Sequence, residues 1–152
     1  MDGFFDDDLI RSVLGTVRTI AVVGASPNPM RPSNNVTEFL VAAGFTVFPV
    51  NPGHGGEEIA GRLVYERLAD IPEPIDMVDV FRRSEALPDL VDEVLALAPR
   101  PKALWTQLGV VNAAATDRAA AAGMQVVVDR CPAIEYPRLF RRIARRTPPA
   151  QA

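Results

Sequence analysis

Arg82 and Arg83 stand side by side at the end of the apolar run Ile75-Asp76-Met77-Val78-Asp79-Val80-Phe81, and Arg31 follows the small-residue segment Gly24-Ala25-Ser26-Pro27-Asn28-Pro29. Adjacent guanidinium groups offer paired donors to a phosphate. The alternative is a surface ion pair, with Asp79 or Glu85 as the partner. Gly24 closes a second apolar run, Ile20-Ala21-Val22-Val23. A glycine there lets the backbone turn tightly and approach a ligand with no side chain in the way. In an open α/β sheet, that first strand-to-helix turn is where a nucleotide phosphate sits.

Two common nucleotides fit poorly. A dinucleotide fingerprint needs three spaced glycines and an acidic residue ending the second strand, whereas this turn has Gly24 alone and the run Phe45-Thr46-Val47-Phe48-Pro49-Val50 ends in Asn51. A triphosphate P-loop needs a Lys-Ser or Lys-Thr pair, and the turn has none. The pattern favours a nucleotide other than NAD or ATP. After Asn51, the loop Pro52-Gly53-His54-Gly55-Gly56 either aims backbone amides at an anion or is a plain surface turn.

Catalytic residue types are sparse. The chain has one histidine and one cysteine, too few for a structural zinc site. Asp76 and Asp79 share a strand, but no nucleophile or metal set accompanies them. In Asp129-Arg130-Cys131-Pro132 the guanidinium beside the thiol favours thiolate, while the other reading is a cysteine packed as a small apolar residue. Trp105 is core or an adenine-stacking surface.

The elements that must hold these residues follow from periodicity. Leu9, Ile10, Val13, Leu14 and Val17 recur at helical spacing behind an acidic start. Strands are expected at Thr19–Val23, Phe45–Val50, Ile75–Phe81, Ala103–Leu108 and Val126–Val128. Helices follow from Ser33-Asn34-Asn35 to a Gly44 cap, from Ser84 through Leu95, and from Asn112 to Gly123. Glu57 to Pro74 reads as an irregular connection. Strands alternating with helices imply an α/β fold, a single doubly wound parallel five-stranded sheet of Rossmann-like type, most simply in the order 3-2-1-4-5.

At 152 residues the chain has room for one compact domain. A net charge of -3 argues against a nucleic-acid surface, and no apolar stretch reaches the length of a membrane span. An acidic start where a signal peptide is basic, and the lone Cys131, point to the cytoplasm.

Six segments in register carry a resemblance: Gly24-Ala25-Ser26, Arg31-Pro32-Ser33-Asn34, Val50-Asn51-Pro52, Asp79-Val80-Phe81-Arg82-Arg83, Trp105-Thr106-Gln107-Leu108-Gly109 and Asp129-Arg130-Cys131-Pro132. Together they resemble the small stand-alone CoA-binding domain proteins, which are similar to the nucleotide-binding domain of the succinate-CoA ligase alpha subunit. The resemblance runs from Thr19 to Glu135. It implies a CoA-binding domain over 19–137; periodicity and composition add an N-terminal helix over 1–18 packed on it and a basic helix with a mobile tail over 138–152. It also implies that Gly24, Ala25, Ser26, Pro27, Asn28 and Pro29 lie along the CoA phosphates. Phe81 to Ser84 and Gln107, Leu108 and Gly109 then flank adenosine and pantetheine. His54 falls where the ligase has a basic contact but replaces a lysine, and an imidazole is largely neutral at pH 7.

The implied function is binding of coenzyme A or an acyl-CoA without chemistry of the domain's own. The alternatives are a part of an acyl-CoA ligase or transferase-type enzyme, or an NAD(P)-binding regulator using Arg82 and Arg83 for a 2′-phosphate. A mixed disulfide between Cys131 and the CoA thiol is the further expectation. CoA is the expected partner, with a homodimer or a protein partner left open.

Overall fold

The computed structural model describes residues 6–146, with side chains as far as Phe140. The expected mobile end after residue 146 and the side chains of the arginines after Arg138 lie outside what is described. Helix α1 (Asp7–Thr16) is capped by the Asp6 carboxylate, which accepts from the Asp8 and Leu9 amides, and it buries Ile10, Val13 and Leu14. Strand β1 (Thr19–Val23) leads through a loop to α2 (Pro32–Ala42) and then to β2 (Thr46–Val50). A small antiparallel hairpin, β3 (Glu58–Ile59) and β4 (Arg62–Leu63), follows in the stretch read as irregular. Then come β5 (Met77–Val80), α3 (Leu87–Leu95), β6 (Ala103–Thr106), α4 (Ala113–Ala121), β7 (Gln125–Val127) and α5 (Pro132–Arg146).

The five long strands form the expected parallel sheet, but in the order β2-β1-β5-β6-β7. The third principal strand therefore lies beside the first, and the simplest order, 3-2-1-4-5, is corrected. Two contacts explain this. The outer edge of β2 is taken by its own return segment, with Tyr65 N donating to Pro49 O at 2.9 Å and Asn51 N to Tyr65 O at 2.9 Å. The start of β5 is pinned to β1, because the Asp76 carboxylate accepts from the Arg18 amide at 2.8 Å and the Thr19 amide at 3.2 Å. Burial pushes the Asp76 carboxyl up, but those two amides together with the Lys102 charge and the Thr19 side chain hold it below its ordinary value.

Every residue of β5 is buried, as befits the middle strand of a sheet covered on both faces. Helices α1, α2 and α5 close over one face and α3 and α4 over the other. Tyr136 of α5 packs edge-on against Phe39 and Phe45 at 6.2 and 5.5 Å and stacks on Phe140 at 5.0 Å. Arg138 ties α5 to α1, reaching Asp7 at 2.7 Å and Glu135 at 2.6 Å. The acidic start is answered there by one arginine of the basic C-terminal run.

Two helix starts differ from expectation. Arg31 occupies the N-cap of α2 with Pro32 after it and no side-chain cap bond, so Ser33 lies within the helix. Ser84 opens a single 3-10 turn, Ser84–Ala86, and α3 begins after it at Leu87 with Ala86 as its N-cap. Asn112 does cap α4, accepting from the Ala115 amide.

Candidate functional site

With β1 and β5 adjacent, strand order reverses between them, and their carboxyl ends define the crevice. Gly24 sits at its apex with φ +88°, and a Cβ built there would lie 2.0 Å from the Phe81 carbonyl oxygen. Only glycine lets the turn after β1 pass so close to the end of β5.

The loop behind Gly24 has spent its own donors. Gly24 N and Ala25 N both donate to Val50 O at 2.9 and 3.3 Å, and Arg31 N donates to Asn28 O at 3.0 Å. Ser26 N goes to Ser33 Oγ, Asn28 N to Ser26 Oγ and Met30 N to Asn28 Oδ1. Pro27 and Pro29 have no N–H. The Asn34 amide group donates to Ser26 O and the Asn51 amide group to Ala25 O. The amides of this loop are thus taken within the chain, so a phosphate lying along it would meet a shaped wall and would draw its donors from side chains.

The glycine loop after β2 behaves likewise. Gly53 N donates to Asn51 Oδ1, Gly55 N to Glu66 Oε2 at 2.9 Å, and Gly56 N to Val64 O at 3.0 Å. His54 turns its Nδ1 to Glu57 Oε2 at 3.0 Å. These amides have partners within the chain, as in a plain surface turn.

Different chemistry is available after β5. The amides of Arg82 and Arg83 have no intrachain acceptor among the described residues, and neither do the guanidinium groups of Arg31, Arg82 and Arg83. The alternative of a pair with Asp79 or Glu85 is excluded among those residues. Phe81, Arg82, Arg83 and Ala86 line a cavity of about 530 Å³. Two open amides next to unpaired guanidinium groups make an anion-binding wall.

The far wall is braced. Ser84 Oγ donates to Gly109 O at 3.2 Å and accepts from Val111 N at 2.9 Å. Asp129, in the left-handed region at φ 62°, accepts from Gly109 N at 2.7 Å. The turn carrying Gln107, Leu108 and Gly109 is thus fastened on two sides, with Leu108 exposed.

Beneath it lies a buried polar pair. Gln107 Nε2 donates to Asp79 Oδ1 at 3.0 Å and Oδ2 at 3.2 Å. Burial pushes the Asp79 carboxyl up to about 7 despite that amide. Cys131 is buried as well, and burial pushes its thiol up, opposed by the Ala133 and Ile134 amides. That reverses the direction expected from Arg130, whose Nη1 donates instead to Asp129 O at 2.8 Å. Trp105 is core: it is fully buried, and its indole N–H donates to Arg130 O at 2.8 Å.

Sequence reading missed a larger groove. About 950 Å³ opens between the Glu66–Asp70 segment and α3, with Val23 and Val50 at its strand-end mouth and Leu68 and Leu90 on its floor. Of the anticipated residues only Arg82 reaches it. Arg67 and the acidic side of α3 had no motif to mark them.

Residues 18–137 match the family model for the CoA binding domain. The chain belongs to the CoA-binding domain family. It is 39% identical over 123 residues to the Bacillus subtilis protein YneT, covering 80% of this chain and 87% of that one. A solved Thermus thermophilus protein, cell-free ID.343, superposes with a TM-score of 0.83 at 41% identity, covering 89% of this chain and 99% of its own. A hypothetical protein from Pyrococcus horikoshii gives 0.82 at 36% identity, covering 88% and 92%. The alpha subunit of an ADP-forming acetate–CoA ligase from Pyrococcus furiosus is 30% identical over 80 residues, half of this chain but 17% of that subunit. No helix among the described residues is long and apolar enough to cross a membrane.

Proposed function

We propose that this domain binds coenzyme A or an acyl-CoA at the carboxyl edge of its sheet, with the pyrophosphate held by Arg82, Arg83 and Arg31. The carrying observation is the coincidence of unpaired guanidinium groups and open Arg82 and Arg83 amides at the switch point of a domain from this family. Backbone amides and arginines are the groups that hold a pyrophosphate, and the residues present suit that load. The domain acts as a binder without chemistry of its own. Its histidine is engaged with Glu57 and its cysteine is buried, so neither stands ready as a nucleophile.

The test is a melting measurement with CoA, NAD, NADP and ATP at equal concentration. A ligand at a hundredfold excess over its Kd stabilises the folded state by about 2.7 kcal/mol, a shift easily read. CoA should raise the melting temperature most, and an equal or larger rise with NAD would overturn the assignment.

A further inference from the structure

At the opposite edge of the sheet from the crevice, a separate cavity of about 390 Å³ opens between the ends of α1 and α2 and the start of α5. Arg18 and Phe45 stand just before Thr19 and Thr46, the paired first residues of β1 and β2, which puts this cavity at the amino edge. Its walls are apolar: Leu14 and Val17 from α1, Phe45, and the stacked rings of Tyr136 and Phe140. The last turn of α1 keeps the space open. A Cβ on Gly15 would lie 3.5 Å from the Phe140 ring, an ordinary contact, so alanine would fit there and would be the better helix former.

Polar groups are left over around these walls. Tyr136 is only 8% exposed, yet its hydroxyl has no hydrogen-bond partner among the described residues. No fully enclosed side-chain oxygen among those residues lacks a partner, so this hydroxyl reaches open space, and the cavity is the space that Tyr136 lines. Burial pushes the phenol up, so it stays protonated at neutral pH and can donate. The Arg18 guanidinium is also unpartnered among the described residues, because the neighbouring Asp76 carboxylate accepts from the backbone amides of Arg18 and Thr19 instead. No carboxylate lines the cavity. Both helices that end there lack a basic residue in the last turn, so the negative ends of two helix dipoles converge on a space whose one cation is Arg18.

A guanidinium and a phenol call for a carboxylate, two helix ends call for a cation, and the walls call for an apolar body. We infer that this cavity is a second binding site, for a small zwitterion with an apolar side chain: an α-amino acid of the leucine or phenylalanine type. Its carboxylate pairs with Arg18 and accepts from the Tyr136 hydroxyl. Its ammonium lies at the carbonyl ends of α1 and α2, and its side chain packs against Phe45 and Phe140. The volume falls in the lower part of the range for small-molecule sites, about 300–1,000 Å³. The cavity shares no residue with the crevice, so the inference stands apart from the CoA reading.

Calorimetric titrations of the full chain test it with L-leucine and L-phenylalanine. Isocaproate and hydrocinnamate lack the ammonium group, and isoamylamine and phenethylamine lack the carboxylate. At least one of the two amino acids should bind saturably, with its singly charged analogues weaker by about tenfold or more. Arg18→Ala should weaken that binding about ten- to hundredfold and Tyr136→Phe about three- to tenfold. Each variant removes atoms without a hydrogen bond or ion pair among the described residues, and a melt of each confirms folding. Saturating CoA should leave the amino acid bound. The inference is overturned by failure of both amino acids to bind, by an analogue binding as tightly as its amino acid, by unchanged affinity in either variant, or by displacement with CoA.

Discussion

Replacing Asp79 by Asn should remove a pH dependence of stability that the wild type carries between about pH 4 and pH 7. In the folded protein the Asp79 carboxyl is pushed from 3.8 to about 7 by burial, with the Gln107 amide as the opposing contact. Between those values the folded state holds a proton that the unfolded chain releases. Stability from this group is therefore complete below the lower value and lost as pH rises through the upper one. Three pKa units at 1.36 kcal/mol each set the loss on the order of 4 kcal/mol by about pH 8. An asparagine is neutral throughout and keeps one acceptor for Gln107, so the variant gives up one hydrogen bond, about 1 kcal/mol, at all pH values. Urea unfolding of both proteins at about pH 5 and about pH 8 isolates the effect as a difference, cancelling the opposite slopes of Asp7 and Asp76, whose carboxyls are held low. The variant should be more stable than the wild type by less than about 1 kcal/mol at the acid end, where the wild type has begun to lose this contribution, and by roughly 3 kcal/mol at the basic end. Parallel profiles would show that Asp79 is ionised in the folded protein, and the account of a desolvated, singly supported carboxyl would be wrong.

Gly24→Ala should destabilise by about 3 kcal/mol or more, since the residue has φ +88° and its Cβ would meet Phe81 O at 2.0 Å, read by denaturant midpoint; a loss under 1 kcal/mol would mean that β1 and β5 separate easily. Arg83→Ala should weaken CoA binding about tenfold or more with an unchanged melting temperature, because the side chain has no partner among the described residues to lose. Cys131 should label with a maleimide at neutral pH far more slowly in the folded protein than in urea, as burial pushes the thiol up; labelling at equal rates would restore it as a reactive thiol.

Much of the fold was legible because its signals are local. Apolar runs between turn residues mark β1, β2, β5, β6 and β7. Gly44 and Gly123, both with positive φ, end helices as their positions suggested. The strand order was not legible, because the contacts that set it join residues far apart in sequence: Asp76 with the amides of Arg18 and Thr19, and Tyr65 with the edge of β2. Ser33 and Ser84 read as caps because serine is a good cap. Each is used instead by a distant amide, Ser26 or Val111. The arginines of the site were found by adjacency. Arg67 was not, since nothing in the neighbouring residues reveals that a short return segment carries it back to the edge where β2 ends.

The saturated loop between β1 and α2 separates two properties that often constrain one another. In that loop the backbone hydrogen bonds are closed internally, so the shape of that wall does not depend on what it touches. On the proposed function, recognition is left to a few outward side chains, Arg31, Arg82 and Arg83, none of which supports the core. A lineage of such domains can drift in ligand preference through exposed substitutions while its folding stays intact, and a designer can do the same, keeping Gly24 and Asp76 and rewriting the arginines.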